Sequence, residues 1–401
     1  MINEIKLKDF LDQFRKSLPA SEFRKLRKIL KSGNQKDISV QKTSSEEYIP
    51  TVNFRIILDL TLFSLEKSLS IEKYSEVILS LTKFFLINGH YNFAFHLTNT
   101  LSYIAKKNGQ LANYYGYGLL NIAEIYRRQA LWNEGLKRLN EARKLFMHSN
   151  DFTGIARCEN LSGSIYAEQG NIKKAQNYFF KGLEIVENSN QLIAGLIHNN
   201  LGIVNSMIGN FELALSYFQR ALVVFEKYNS KYYVADVRHN IGMIYIRKEK
   251  FKKAINEFDR CIHAAQLTNY QNILALSFLS KSYLFILMND IELAEVWLDK
   301  SLEIADGIND NLTIADCYKV KGIILKKMKN YDEAEIYFLR SLQLNKRYNN
   351  QLNYAESCTE LGLLLKEKNN LVGAKKYFMQ ALRYYKKINS KIDSDRIKSY
   401  L

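Results

Sequence analysis

Apolar and small side chains recur along this chain at a fixed spacing. Between Asn199 and Ala221, small residues stand at Gly202 and Ala214, and aromatic residues stand at Phe211 and Phe218. Positions equivalent to Ala214 hold alanine or glycine at intervals of 39 to 41 residues: Ala94, Gly135, Ala175, Ala254, Ala294, Ala334 and Ala374. A repeat of this length predicts a stacked array of helix pairs.

The regions outside the array differ in pattern. Residues 1–50 are predicted to form a helical head and polar linker, because apolar residues recur there at helical spacing on both sides of Pro19. Residues 51–74 are predicted to be an N-terminal capping helix, residues 75–388 eight helix pairs, and residues 389–401 a basic C-terminal cap. For the head, three interpretations stay open: a DNA-binding fragment, a docking element, or a cap over the first pair.

Close helix packing explains the small residues. Two antiparallel helices approach closely only where one lacks bulk, and a ring from the partner helix fills the space beside that position. The eighth residue of each repeat is Thr82, Ala123, Gly163, Gly202, Gly242, Ser282, Gly322 or Gly362. The twenty-fourth is Thr98, Leu139, Phe179, Phe218, Phe258, Leu298, Phe338 or Phe378.

This arrangement of small and aromatic positions resembles the tetratricopeptide repeat family. The resemblance implies an all-α fold, a right-handed α-solenoid of about eight helix pairs. The period is 40 residues rather than the family's usual 34, so the extra residues lengthen either the helices or the loops. Forty-residue versions resemble those of kinesin light chains, LGN-type polarity adaptors and the bacterial Rap and PlcR peptide receptors.

Charge and cysteine content limit the function classes. The 57 Lys and Arg against 41 Asp and Glu give a net charge of +16, which suits nucleic acid, an anionic surface or an acidic protein, or reflects a Lys-rich composition alone. The cysteines form no C-x-x-C pair, which predicts reduced core residues and a cytoplasmic location. No secretory signal or membrane-spanning stretch is expected, so we predict no membrane insertion.

Catalytic motifs are missing from the sequence. The six histidines form no H-E-x-x-H pair, and no glycine-rich loop follows a strand. We therefore expect a protein that is not an enzyme and has no metal or cofactor.

Family resemblance implies a concave groove lined by the first helix of each pair, which binds a peptide or protein segment. The sixth position of the repeat is asparagine in three cases, Asn121, Asn200 and Asn240. Because the chain has 37 asparagines, this coincidence could also arise by chance. An amide side chain offers both a donor and an acceptor to a peptide main chain. The groove cations predict acidic side chains in the ligand. The predicted groove residues are Asn121, Arg127, Arg128, Asn160, Asn199, Asn200, His239, Asn240, Arg247, Lys319, Lys326, Lys327 and Lys366.

Three functions remain open from the sequence. The first is an interaction scaffold that binds a peptide and acts in regulation or signalling. The second is a bacterial signalling-peptide receptor similar to the Rap and PlcR types. The third is a basic protein that binds nucleic acid or an anionic surface, whose affinity would fall steeply with salt.

Overall fold

The computed structural model describes most of the chain, and it separates into two compact units, residues 1–161 and 162–401. The described residues are 4–6, 15, 20, 23–24, 41–43, 46–87, 90–186, 190–308 and 310–401. The helices predicted within residues 1–40 therefore fall largely outside the described residues.

Three short strands lie where the sequence predicted helix and linker. They are β1 (Glu4–Lys6), β2 (Gln41–Thr43) and β3 (Glu46–Pro50). They form an antiparallel sheet in the order β1-β3-β2, with Ile5 opposite Ile49. Pro50 explains part of the difference, because a proline restricts the residue before it to extended backbone.

Eighteen α-helices follow in the described residues, and they confirm the all-α fold and the eight pairs. The helix α1 precedes the pairs, α2 to α17 form them in order, and α18 comes last. Their bounds are α1 Thr51–Ser68, α2 Ile71–Ile87, α3 Tyr91–Lys107, α4 Ala112–Arg128, α5 Trp132–His148, α6 Phe152–Glu168, α7 Ile172–Val186, α8 Gln191–Met207, α9 Phe211–Lys227, α10 Lys231–Arg247, α11 Phe251–Thr268, α12 Gln271–Leu287, α13 Ile291–Gly307, α14 Asn311–Lys327, α15 Tyr331–Arg347, α16 Gln351–Glu367, α17 Leu371–Lys387 and α18 Lys391–Lys398. A 3₁₀ turn, Gly109–Leu111, joins α3 to α4.

Helix length accounts for the 40-residue period. Most paired helices have 17 residues, and most connections between them have three. The first helix of each pair begins eleven residues before the residue at the eighth position, as Gln191 does before Gly202. It therefore starts four residues before the first position of the repeat, and the extra residues form an added helical turn.

Asparagine has a backbone role in the short connections. Among the described residues, seven asparagines have a positive φ just after a helix end, where the left-handed conformation closes the last turn. Asparagine tolerates this conformation better than most side chains. These seven are Asn150, Asn229, Asn269, Asn289, Asn349, Asn369 and Asn389.

Glycine and phenylalanine pack together inside five of the eight pairs, as predicted. A Cβ atom added to Gly202 would lie 2.5 Å from the ring of Phe218, and one added to Gly242 would lie 2.7 Å from Phe258. Both rings are fully buried. Where the eighth residue is Ser282, its hydroxyl instead donates to the carbonyl oxygen of Ala294 across the pair, at 2.7 Å.

First helices of neighbouring pairs contact one another within residues 162–401. The pairs α8 and α10, α10 and α12, α12 and α14, and α14 and α16 all touch, and contacts between successive second helices are sparser. This asymmetry places the first helices on the inner side of the stack. In residues 1–161, α1 packs on the first pairs through the buried Leu58, Leu62 and Leu65.

All four cysteines are buried and unpaired, as expected for core residues. Burial raises the pKa of the thiols of Cys158, Cys261, Cys317 and Cys358 to about 12. Over the described part of the chain, no helix has both the length and the apolar character needed to cross a bilayer.

Candidate functional site

Polar side chains link successive first helices in residues 162–401. Asn240 donates from Nδ2 to the Oδ1 of Asn199 at 3.2 Å, which joins α10 to α8. On the next interface, the Nε2 of His239 lies 3.0 Å from the Oγ of Ser280 on α12. We call Asn199, Asn200, His239, Asn240 and Ser280 the polar row. Asn200 extends it toward α6 by donating to the hydroxyl of Ser164 at 3.4 Å.

Most of the polar row is half-buried on the inner side of the stack; Ser280 is buried. Burial lowers the pKa of His239 to about 4, so its ring is neutral at pH 7 and can both donate and accept. Asparagine is a poor helix former, and its presence in mid-helix at Asn199, Asn200 and Asn240 is consistent with selection for these contacts. The row therefore presents neutral amide, imidazole and hydroxyl groups.

A carboxyl group lies on the same face of α10. Burial raises the pKa of Asp236 to about 7, and a hydrogen bond from Tyr270 offsets part of that rise. The ring of Tyr270 stacks on that of Tyr232, with 3.7 Å between centroids and 15° between planes. Near neutral pH, Asp236 therefore titrates between a neutral hydrogen-bonding group and a buried anion.

Asp236→Asn is expected to stabilise the protein at alkaline pH. Because the folded-state pKa of Asp236 exceeds the unfolded value, wild-type stability falls as pH rises from about 4 to about 7. The amide removes this loss, with a gain of up to about 4 kcal/mol at pH 8 and little change at pH 4. Urea unfolding at both pH values measures it, and the exposed Asp299→Asn serves as the control. Equal gains at pH 4 and pH 8 would contradict the assignment.

The predicted cations of α14 are paired within the protein. Lys319 Nζ lies 3.1 Å from Asp316 and 2.6 Å from Glu356, and Lys326 Nζ lies 3.0 Å from Glu360. Burial by itself lowers the pKa of Lys319, but the two carboxylates outweigh it and raise that pKa. The stretch from Lys319 to Lys327 is thus largely neutralised, and Lys327 is its exposed cation.

Two further predicted cations contact the C-terminal segment of residues 391–401. Arg247 Nη1 lies 3.2 Å from the carboxylate of Asp393 on α18. Lys366 donates to the carbonyl oxygen of Tyr400 at 3.0 Å. The partners of these basic side chains, a carboxylate and a backbone carbonyl, come from the chain itself, which the sequence did not predict.

The remaining predicted residues belong to residues 1–161. Arg127 and Arg128 both pair with Glu124 of their own helix, at 2.7 and 2.9 Å. Asn121 on α4 and Asn160 on α6 are half-buried. The structure thus brings together the predicted residues of α8 and α10 and, separately, those of α14 and its neighbours.

Sequence reasoning missed Ser280, Tyr270 and Asp393 as members of these clusters. Ser280 occupies the same sixth position as Asn240, so the repeat alignment could have identified it. Asp393 lies 146 residues from Arg247, and no local pattern connects the two. Across the described residues, no group of three or more His, Cys, Asp or Glu side chains is arranged to hold a metal ion.

Comparison with known proteins supports the repeat assignment. The family model described as tetratricopeptide repeat matches residues 193–266 and 318–387. These two segments of the chain therefore match the tetratricopeptide repeat family. No curated protein sequence matches the chain.

Solved tetratricopeptide repeat-like structures share this fold at low identity. Aspartyl phosphate phosphatase F from Bacillus subtilis has a TM-score of 0.57 and 15% identity, with 96% of this chain and 93% of that one covered. The Rap conjugation gene regulator of plasmid pLS20, in complex with the Phr* peptide, has a TM-score of 0.59, 16% identity and coverages of 82% and 98%. NprR in complex with its cognate peptide NprX has a TM-score of 0.52, 16% identity and coverages of 67% and 81%.

Proposed function

We propose that this chain is a non-enzymatic receptor that binds a peptide segment along the inner side of residues 162–401. The observation that carries the proposal is the polar row, in which amides of adjacent first helices are 3.2 Å apart. Such a row matches the repeating donors and acceptors of an extended peptide main chain. A peptide amide inserted between Asn199 and Asn240 would replace one internal hydrogen bond with two bonds to the ligand.

Two similar solved structures contain a peptide, namely the Rap regulator with Phr* and NprR with NprX. They support the same use of this fold here, and they favour the signalling-peptide form of the proposal. The phosphatase activity in the name of the Bacillus subtilis structure belongs to that protein, and we do not propose it for this chain.

Because the polar row is neutral, the prediction that the ligand is acidic has to be revised. The ion pairs of Lys319 and Lys326 leave little uncompensated positive charge beside it. We therefore propose that main-chain hydrogen bonds, rather than ion pairs with acidic side chains, hold the peptide. Exposed ion pairs would add only about 0–1 kcal/mol each.

Asn199→Ala combined with Asn240→Ala is expected to weaken peptide binding without unfolding the protein. Each lost hydrogen bond should cost about 0.5–1.5 kcal/mol, whereas alanine is a better helix former than asparagine. Selection from a random peptide display library on immobilised wild-type chain would supply ligands. Fluorescence anisotropy would then compare their affinity for the wild type and the double variant, with circular dichroism as the check on folding.

Asn256→Ala is the matched control, since Asn256 is an exposed asparagine on the second helix α11. Its affinity for the selected peptides should equal that of wild type. Equal affinity for the double variant would reject the polar row as the site. If the library returns no ligand and the protein instead binds a single-stranded oligonucleotide with steep salt dependence, the nucleic-acid alternative is favoured.

A further inference from the structure

The C-terminal segment of the chain folds back onto early helix pairs of residues 162–401. Ile388, which is fully buried, lies against the turn between α6 and α7, where a Cβ added to Gly170 would be 3.0 Å from its Cγ2. Ile392 reaches the next turn, between α8 and α9, where a Cβ added to Gly209 would be 2.6 Å from its Cδ1. The segment therefore contacts two consecutive turns far from it in sequence.

An ion pair extends this contact to the next helix pair, formed by α10 and α11. Asp393, whose side chain is 9% exposed, lies 3.2 Å from Arg247, the last residue of α10. The same carboxylate accepts from the hydroxyl of Ser390 at 2.8 Å and pairs with Arg396 at 2.9 Å. Arg247 is a predicted groove residue, so a carboxylate of the protein already occupies a position expected for a ligand.

Glycine at the two turns supports a built contact surface. The residue with positive φ in the other described turns within a pair is Ala130, Glu249, Asn289, Lys329 or Asn369, so the backbone there does not require glycine. Only Gly170 and Gly209, among the described within-pair turns, lack a side chain, and these are the two turns that isoleucines contact. Their glycines leave room for the isoleucine side chains.

We propose that residues 388–397 are an internal ligand of the surface formed by Gly170, Gly209 and Arg247, which we call the tail site. An external peptide with a branched aliphatic residue followed directly by a carboxylate, as in Ile392-Asp393, competes for this site. The inference deepens the proposed function and rests on it for the external ligand. Occupation of the tail site by α18 would then limit access to the inner face until such a peptide displaces it.

The first test measures whether the ion pair holds α18 in place. Amide hydrogen exchange of the full chain is compared for wild type, Asp393→Asn and Asp395→Asn. Asp395 is an exposed carboxylate on the same helix and pairs with Lys398, so its variant is the matched control. We expect exchange in residues 394–398 to accelerate at least tenfold in Asp393→Asn alone. Equal exchange in wild type and Asp393→Asn would overturn the proposal.

The second test measures competition, with a fluorescent synthetic peptide of residues 386–401 as the probe. Full-length Asp393→Lys should release its own tail, because the lysine would face Arg247. It should bind the peptide at least tenfold more tightly than wild type does. A chain with Arg247→Glu alone should also release its tail, because Asp393 would face a carboxylate; it should not bind the native peptide and should bind one carrying lysine at the position of Asp393. Equal binding of the native peptide to wild type and Asp393→Lys would overturn the proposal.

These outcomes separate the tail site from the polar row. Exchange in α18 needs no external ligand, so it reports on the tail site even if the display library yields no peptide. Conversely, library peptides could bind wild type and Asp393→Lys with equal affinity but not bind the variant that combines Asn199→Ala with Asn240→Ala. This result would support the polar row as the peptide site and would reject competition by the tail.

Discussion

Gly202→Ala is expected to destabilise the wild-type protein and to stabilise a Phe218→Ala variant. In wild type, the new Cβ would lie 2.5 Å from the buried ring of Phe218, and overpacking of this kind costs about 1–3 kcal/mol. Phe218→Ala alone should cost about 3–5 kcal/mol because it leaves a cavity. With the ring absent, the methyl group meets no clash, and the higher helix propensity of alanine should contribute up to about 1 kcal/mol.

Urea unfolding followed by circular dichroism measures the four members of this cycle, and hydrogen exchange in α8 and α9 reports on the local effect. Gly307→Ala is the control, because a Cβ added to Gly307 meets nothing within 4 Å. It should be neutral or slightly stabilising in both backgrounds. The packing account fails if Gly202→Ala is destabilising by the same amount whether or not Phe218 is present.

The sequence predicted the parts of the fold that repeat. A glycine and a phenylalanine occupy the eighth and twenty-fourth positions in five of the eight repeats. The pattern therefore averages over local irregularities and identifies both helices of each pair. Helix ends were less predictable, because the added turn before each small residue carries no distinctive residue. The short strands near Pro50 were missed because they do not repeat.

The candidate site was only partly predictable for a related reason. Position within the repeat placed Asn199 and Asn240 on the inner side, and the structure joins them. Position alone could not show that Lys319 and Lys326 are neutralised, because their partners Glu356 and Glu360 lie on the next first helix. Nor could it place Asp393 beside Arg247, since that contact depends on the curvature accumulated over several pairs.

Lys319→Met is expected to destabilise the protein by about 3–5 kcal/mol at pH 7, since it leaves carboxylates without their buried cation. The side chain of Lys319 is 13% exposed and contacts both Asp316 and Glu356. Lys327→Met is the control on the same helix, and because Lys327 is exposed its effect should stay within about 0.5 kcal/mol. Equal losses for the two variants would contradict a role for the buried cluster.

The stability loss caused by Lys319→Met should depend on pH, whereas the loss caused by a simple cavity should not. Burial alone raises the pKa of Glu356, but in wild type Lys319 outweighs it and keeps that pKa below the ordinary value, which stabilises the fold above the unfolded pKa. Without Lys319, burial raises the pKa of both carboxyls, so the folded variant binds protons more strongly than the unfolded chain. The deficit relative to wild type should therefore shrink as pH falls from 7 to 5.

Neutralising the carboxylates as well should recover much of the loss. Lys319→Met combined with Asp316→Asn and Glu356→Gln removes every charge of the cluster, and an uncharged replacement for a buried ion pair is often close to neutral in stability. We expect the triple variant to be more stable than Lys319→Met at pH 7, and its stability difference from wild type to be nearly the same at pH 5 and pH 7. Urea unfolding at both pH values tests this, and a triple variant less stable than Lys319→Met would show that packing, not charge, governs the cluster.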